Sequence, residues 1–60
     1  MKTYTIYLGT ESIACLSGIE AVYACYEAAK TIAAMTNRTA TLIWDETGEE
    51  VAFFDPEEIY

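Results

Sequence analysis

Apolar and polar side chains alternate from the third residue. Thr3-Tyr4-Thr5-Ile6-Tyr7-Leu8 is β-branched and aromatic with a period of two, which predicts a strand. Gly9-Thr10-Glu11 supplies a reversal, and Ser12-Ile13-Ala14-Cys15-Leu16 reads as the returning strand of a hairpin, although its alanine would also suit a helix beginning near Ser12. Ser17-Gly18-Ile19-Glu20 has capping-box spacing, which places the helix start there instead. Starting earlier would leave Gly18 inside the helix at about 1 kcal/mol relative to alanine. From Ile19 to Thr36 the chain is alanine-rich without proline. At 100° per residue, Ile19, Val22, Cys25, Tyr26, Ala29, Ile32 and Ala33 form one apolar stripe, widened by Ala21, Ala28 and Met35. Asn37 suits the left-handed position that ends a helix, and Arg38 follows at the negative end of its dipole.

Thr39–Asp45 predicts a third strand, Glu46–Glu49 a turn with Gly48 in the left-handed region, and Glu50–Phe54 a fourth strand. Asp55-Pro56-Glu57-Glu58 combines a capping aspartate with proline at the first helical position, so a short helical turn is expected. The resulting order is ββαββ. The expectation is a single α+β domain over residues 1–60, a four-stranded antiparallel sheet of two hairpins with one helix packed on one face.

Parity assigns Tyr4, Ile6, Leu8, Ile13, Cys15, Leu42, Trp44, Val51 and Phe53 to the helix-covered face. The other face would then carry Thr5, Tyr7, Ala14, Leu16, Ile43, Ala52 and Phe54. Tyr7, Leu16, Ile43 and Phe54 are too apolar for a solvated face and are expected to form a twofold homodimer interface. The alternative is that Ile59 and Tyr60 fold across part of that patch.

Length sharpens the case for a partner: a chain of 60 residues buries only about 60% of its unfolded surface. At 53% hydrophobic residues it is no disordered tail, and no apolar run approaches the ~20 residues of a membrane span. The opening Met1-Lys2-Thr3-Tyr4 does not resemble a secretory signal. Cys15 and Cys25 stand ten apart. They are expected to be reduced, buried thiols of a cytoplasmic protein, with a bridge as the alternative should they face each other.

Charge is unevenly placed. Lys2, Lys30 and Arg38 balance Glu11, Glu20 and Glu27 over residues 1–38, so the net −7 falls on residues 39–60. Asp45, Glu46, Glu49, Glu50, Asp55, Glu57 and Glu58 put seven carboxylates within fourteen residues. Such a segment repels nucleic acid and anionic membranes and attracts a basic protein. Catalysis is not expected: histidine is absent, no phosphate loop is present, and neither cysteine has a base. No cofactor is implied. The hairpin acids lack the alternating spacing of a hard-cation loop, so a metal-dependent nucleic-acid-processing enzyme is the weaker alternative. The five tyrosines lack the basic residues that accompany base stacking, so nucleic acid is not expected as a direct partner.

Carboxylates fixed on strands and turns imitate the charge density of duplex phosphates, and Trp44, Phe54 and Tyr60 stand near them as aromatic anchors. With its closing L-I-W-D-E-T-G-E-E-V-A-F-F-D-P-E-E, the chain resembles the small acidic proteins of bacterial phages and mobile elements, several of which are anti-CRISPR or other DNA-mimic inhibitors. That resemblance covers residues 40–60. It implies a non-enzymatic inhibitor occupying the basic site of a nuclease or another DNA-binding protein. A small structural or regulatory homodimer is the alternative.

Overall fold

Each hairpin forms where the alternation and its turn glycine place it. In the computed structural model, which describes residues 2–59 and side chains through Glu57, β1 (Thr3–Leu8) and β2 (Glu11–Ser17) are joined by Gly9-Thr10. The second hairpin pairs β3 (Ala40–Trp44) with β4 (Glu49–Phe54). Gly9 and Gly48 hold φ of 68° and 74°, a region that disfavours any residue with a Cβ. The hairpins join through antiparallel β1–β3 pairing, giving the sheet order β2-β1-β3-β4. Between them α1 (Ala21–Thr36) crosses one face, and α2 (Pro56–Ile59) follows β4. Residues 11–17 are therefore strand, and the architecture is the expected α+β, ββαββ arrangement.

Helix α1 lies on the sheet through small side chains. Ala21, Cys25, Ala29 and Ala33, four apart, are buried against Tyr4, Ile6 and Leu8 of β1 and Ala40 and Leu42 of β3. Val22, Ala28 and Ile32 flank that line. Asn37 ends the helix with φ 55° and ψ 36°, in the left-handed conformation its side chain tolerates.

The helix start differs from the expected capping box. Ser17 stays in β2, paired with Thr3, and their hydroxyl oxygens are hydrogen-bonded at 2.7 Å. Gly18 then turns the chain with φ 130°, and Glu20 takes the N-cap position without a side-chain cap. Sheet pairing outcompetes capping for the Ser17 hydroxyl. The displaced start leaves Ile19 outside the helix and 96% exposed, and Met35 also lies outside the buried stripe.

Both hairpins contain a bulge, and together they correct the face assignment. Between Ile6/Ala14 and Tyr7/Ser12 the extra residue is Ile13; between Leu42/Ala52 and Ile43/Glu50 it is Val51. An inserted residue reverses parity along the rest of its strand. Ala14 and Leu16 therefore share the helix side with Ile6 and Tyr4, while Ala52 and Phe54 share it with Leu42 and Ala40. Cys15 and Phe53 take the open face, paired with Thr5 and Thr41. Of the expected dimer face, only Tyr7 and Ile43 lie on the open side. Leu16 and Phe54 do not.

Candidate functional site

The acidic hairpin is held by its own backbone. Gly48 N–H and Thr47 N–H donate to Trp44 O at 2.8 and 3.3 Å, and Glu49 N–H donates to Thr47 Oγ1 at 3.2 Å. Asp45 is fixed twice: its amide donates to Thr3 O at 3.0 Å, and its Oδ1 accepts from Thr5 Oγ1 at 2.6 Å. Asp45, Glu46, Glu49 and Glu50 are all exposed around this turn. Glu49 and Glu50 open β4, an outer strand of the sheet.

Asp55 and Glu57 stand at the other end of β4. Asp55 caps α2, its Oδ1 accepting from Glu57 N–H at 3.0 Å, as the Asp-Pro pair predicts. At about 3.4 Å per strand residue, Glu50 and Asp55 are roughly 17 Å apart. The six acids described, Asp45, Glu46, Glu49, Glu50, Asp55 and Glu57, are thus two groups along one edge instead of a single cluster. The far group shares a depression of about 460 Å3 with Arg38, whose Nη2 donates to Leu8 O at 3.4 Å. At the hairpin the nearest base is Lys2, its Nζ 5.0 Å from the Trp44 ring centroid. Among the described residues no carboxylate forms an ion pair, so the negative field of the edge is not cancelled by direct contacts. Nor do three or more cysteine, aspartate or glutamate side chains among them converge as metal ligands do.

The expected anchors need correction. Trp44 is half-buried against the core, with Nε1 buried and lacking an acceptor among the described residues. Phe54 packs edge-on against Tyr26 of α1, ring centroids 4.9 Å apart at 81°. Both are turned toward the helix by the sheet register. Tyr60 and the Glu58 and Ile59 side chains lie outside the described residues. The aromatic presented beside the acids is Phe53, 52% exposed, with Val51 at 44%. Reading strict alternation through β4 missed both, because the bulge at Val51 leaves no mark in composition.

The open face is more polar than expected. Thr3, Thr5, Thr41, Ser12 and Ser17 interleave there with Tyr7, Ile43, Phe53 and Cys15. Cys15 is exposed and Cys25 buried; both are free thiols, which corrects the expectation that both are buried. Burial, with a smaller contribution from Cys15, raises the Cys25 pKa, and its Sγ lies 4.0 Å from Tyr4 O as a donor. A raised thiol pKa means the native state retains a proton that the unfolded chain loses. This contribution to stability is intact below the ordinary thiol range and declines as pH rises through it. A thiol-reactive chromogenic disulfide at pH 8 should titrate one thiol in the native protein and two in denaturant. Replacing Cys15 by serine should abolish the native signal; two fast native thiols would contradict the burial of Cys25.

No family model, curated protein or solved structure matches the chain. No helix among the described residues is long and apolar enough to cross a membrane.

Proposed function

We propose that this protein is a non-enzymatic acidic binding module whose β4 edge engages a basic, nucleic-acid-binding surface of a partner protein. The observation that carries this reading is the set Asp45, Glu46, Glu49 and Glu50, without an ion pair among the described residues, gathered around one turn beside exposed Val51 and Phe53. Backbone bonds hold the turn, so its main chain meets a partner with little ordering loss, and the apolar pair supplies contact that salt does not screen. Competition with nucleic acid follows from occupation of the same cationic groups. An inhibitor of a nuclease or other DNA-binding protein is the specific form this takes. The Asp55–Glu57 group, shared with Arg38, extends the footprint more weakly.

The test uses the immobilised chain as bait in a lysate. A basic protein should be retained at about 50 mM salt, released near 500 mM, and displaced by added duplex DNA. The Glu46→Lys/Glu49→Lys/Glu50→Lys variant should fold normally and lose capture at least tenfold. These positions are exposed, so reversing them leaves the core untouched. Capture that survives the triple reversal, or that duplex DNA fails to displace, rules this function out.

A further inference from the structure

Register resolves the open face of the sheet into three cross-strand rows. Ser17 and Thr3 lead to Asp45; Cys15, Thr5, Ile43 and Glu50 form the second row; Ser12, Tyr7, Thr41 and Phe53 form the third. The Asp45 carboxylate lies over this face, since its Oδ1 accepts from the Thr5 hydroxyl. Both helices are elsewhere: α1 covers the opposite face and α2 packs against α1. A depression of about 540 Å3 over Tyr7, Thr41 and Ile43 runs from Thr10 to Gly48. The face carries two carboxylates and, among the described residues, no base. Lys2 lies beside Trp44 on the helix side, Lys30 is on α1, and Arg38 is tied to Leu8 O at the end of the sheet.

We propose that this open face receives a basic amphipathic helix of the partner protein. The inference rests on the function proposed above and says how the acidic edge is engaged. Charge complementarity selects the occupant's chemistry. Asp45 and Glu50 adjoin an apolar floor of Tyr7, Ile43 and Phe53, which fits an apolar stripe flanked by arginine or lysine. A second copy would instead bring four carboxylates into one interface with no base to meet them.

The sheet edges select a helix over a strand. An added strand binds through unpaired main-chain groups, and both outer strands discourage it in the same two ways. β2 opens with Glu11 and is bulged at Ile13; β4 opens with Glu49 and Glu50 and is bulged at Val51. A helix satisfies its own backbone and needs only a face to cover. Tyr7 and Phe53 stand two strand spacings apart in their row, about 10 Å. Two helical turns, at about 5.4 Å each, span that distance. Thr5 and Thr41, short side chains between the larger ones, let a helix approach the floor.

The test titrates isotope-labelled protein with a capped synthetic peptide of about fourteen residues, leucine at helical spacing and arginine on the flanks, followed by NMR. Amides of Thr5, Tyr7, Thr41 and Ile43 should shift and saturate near or below about 1 mM peptide. A scrambled order, which keeps the charge and loses the stripe, should bind about tenfold more weakly, and glutamate in place of arginine should abolish binding. Ile43→Thr and Tyr7→Thr should each weaken the striped peptide by about tenfold, with thermal melts confirming that they fold. A bulky maleimide on Cys15, the exposed thiol of the second row, should block the peptide without any substitution. Shifts confined to residues 45–50, equal binding of the scrambled peptide, or indifference to the Cys15 adduct would overturn the inference. Each leaves the edge reading to its own test, capture from lysate by the triple reversal. Open-face shifts that grow with protein concentration alone would assign the face to a second copy and overturn the inference equally.

Discussion

Replacing Leu42 with alanine is expected to destabilise the fold by about 2–5 kcal/mol. Leu42 is fully buried on central strand β3, between Ile6 of β1 and Ala52 of β4. Its neighbours toward the helix are alanines and Cys25, whose short side chains cannot swing in to fill the space. The void therefore persists, which puts the loss toward the upper part of that range. A domain of 60 residues has roughly 3–9 kcal/mol in total. Leu42→Ala thus removes around half of it. With a urea m-value near 1 kcal/mol/M for a chain this small, the midpoint should fall by roughly 2 M or more. Fluorescence of Trp44, the single tryptophan, reports the transition because its ring is half-buried against the same core. Val51→Ala, at the exposed bulge, should change stability by about 0.5 kcal/mol or less. Near-equal effects from the two substitutions would place the main apolar support elsewhere.

How legible the molecule was depends on the range of the interaction that decides each feature. Alternation fixes strands locally, so β1, β3 and the ββαββ order follow from the apolar pattern. The Asp55-Pro56 cap and the left-handed Asn37 are likewise decided by a few consecutive residues. Bulges belong to a pair of strands, and neither partner alone reveals one. Strict alternation therefore places Cys15, Leu16, Phe53 and Phe54 on the faces opposite to those they occupy. The Ser17 cap failed for a related reason: a partner fourteen residues away, Thr3, claims its hydroxyl. For the acidic segment, sequence shows the charge density but not that the bulged strand β4 lies between its two halves. The edge geometry separates Asp45–Glu50 from Asp55–Glu57 and leaves Phe53, not Trp44 or Phe54, exposed beside them.

The second large effect comes from enlarging a residue. Ala29→Leu should destabilise the protein by about 1–3 kcal/mol or more, although leucine is nearly as good a helix former as alanine. Ala29 is fully buried in the line Ala21, Cys25, Ala29, Ala33 that sets α1 close against the sheet. Three added carbons there must displace Ile6 or Leu42, or lift the helix. Lifting it would also separate Tyr26 from Phe54. Ala24→Leu, on an exposed turn of the same helix, carries the same propensity change without the packing conflict and should shift stability by only a few tenths of a kcal/mol. Thermal melts of the pair separate the two contributions. A loss for Ala29→Leu no larger than for Ala24→Leu would show that the helix–sheet interface has slack. The alanines would then reflect helix propensity and not close approach. A large difference identifies small side chains as what lets one helix of sixteen residues cover four strands.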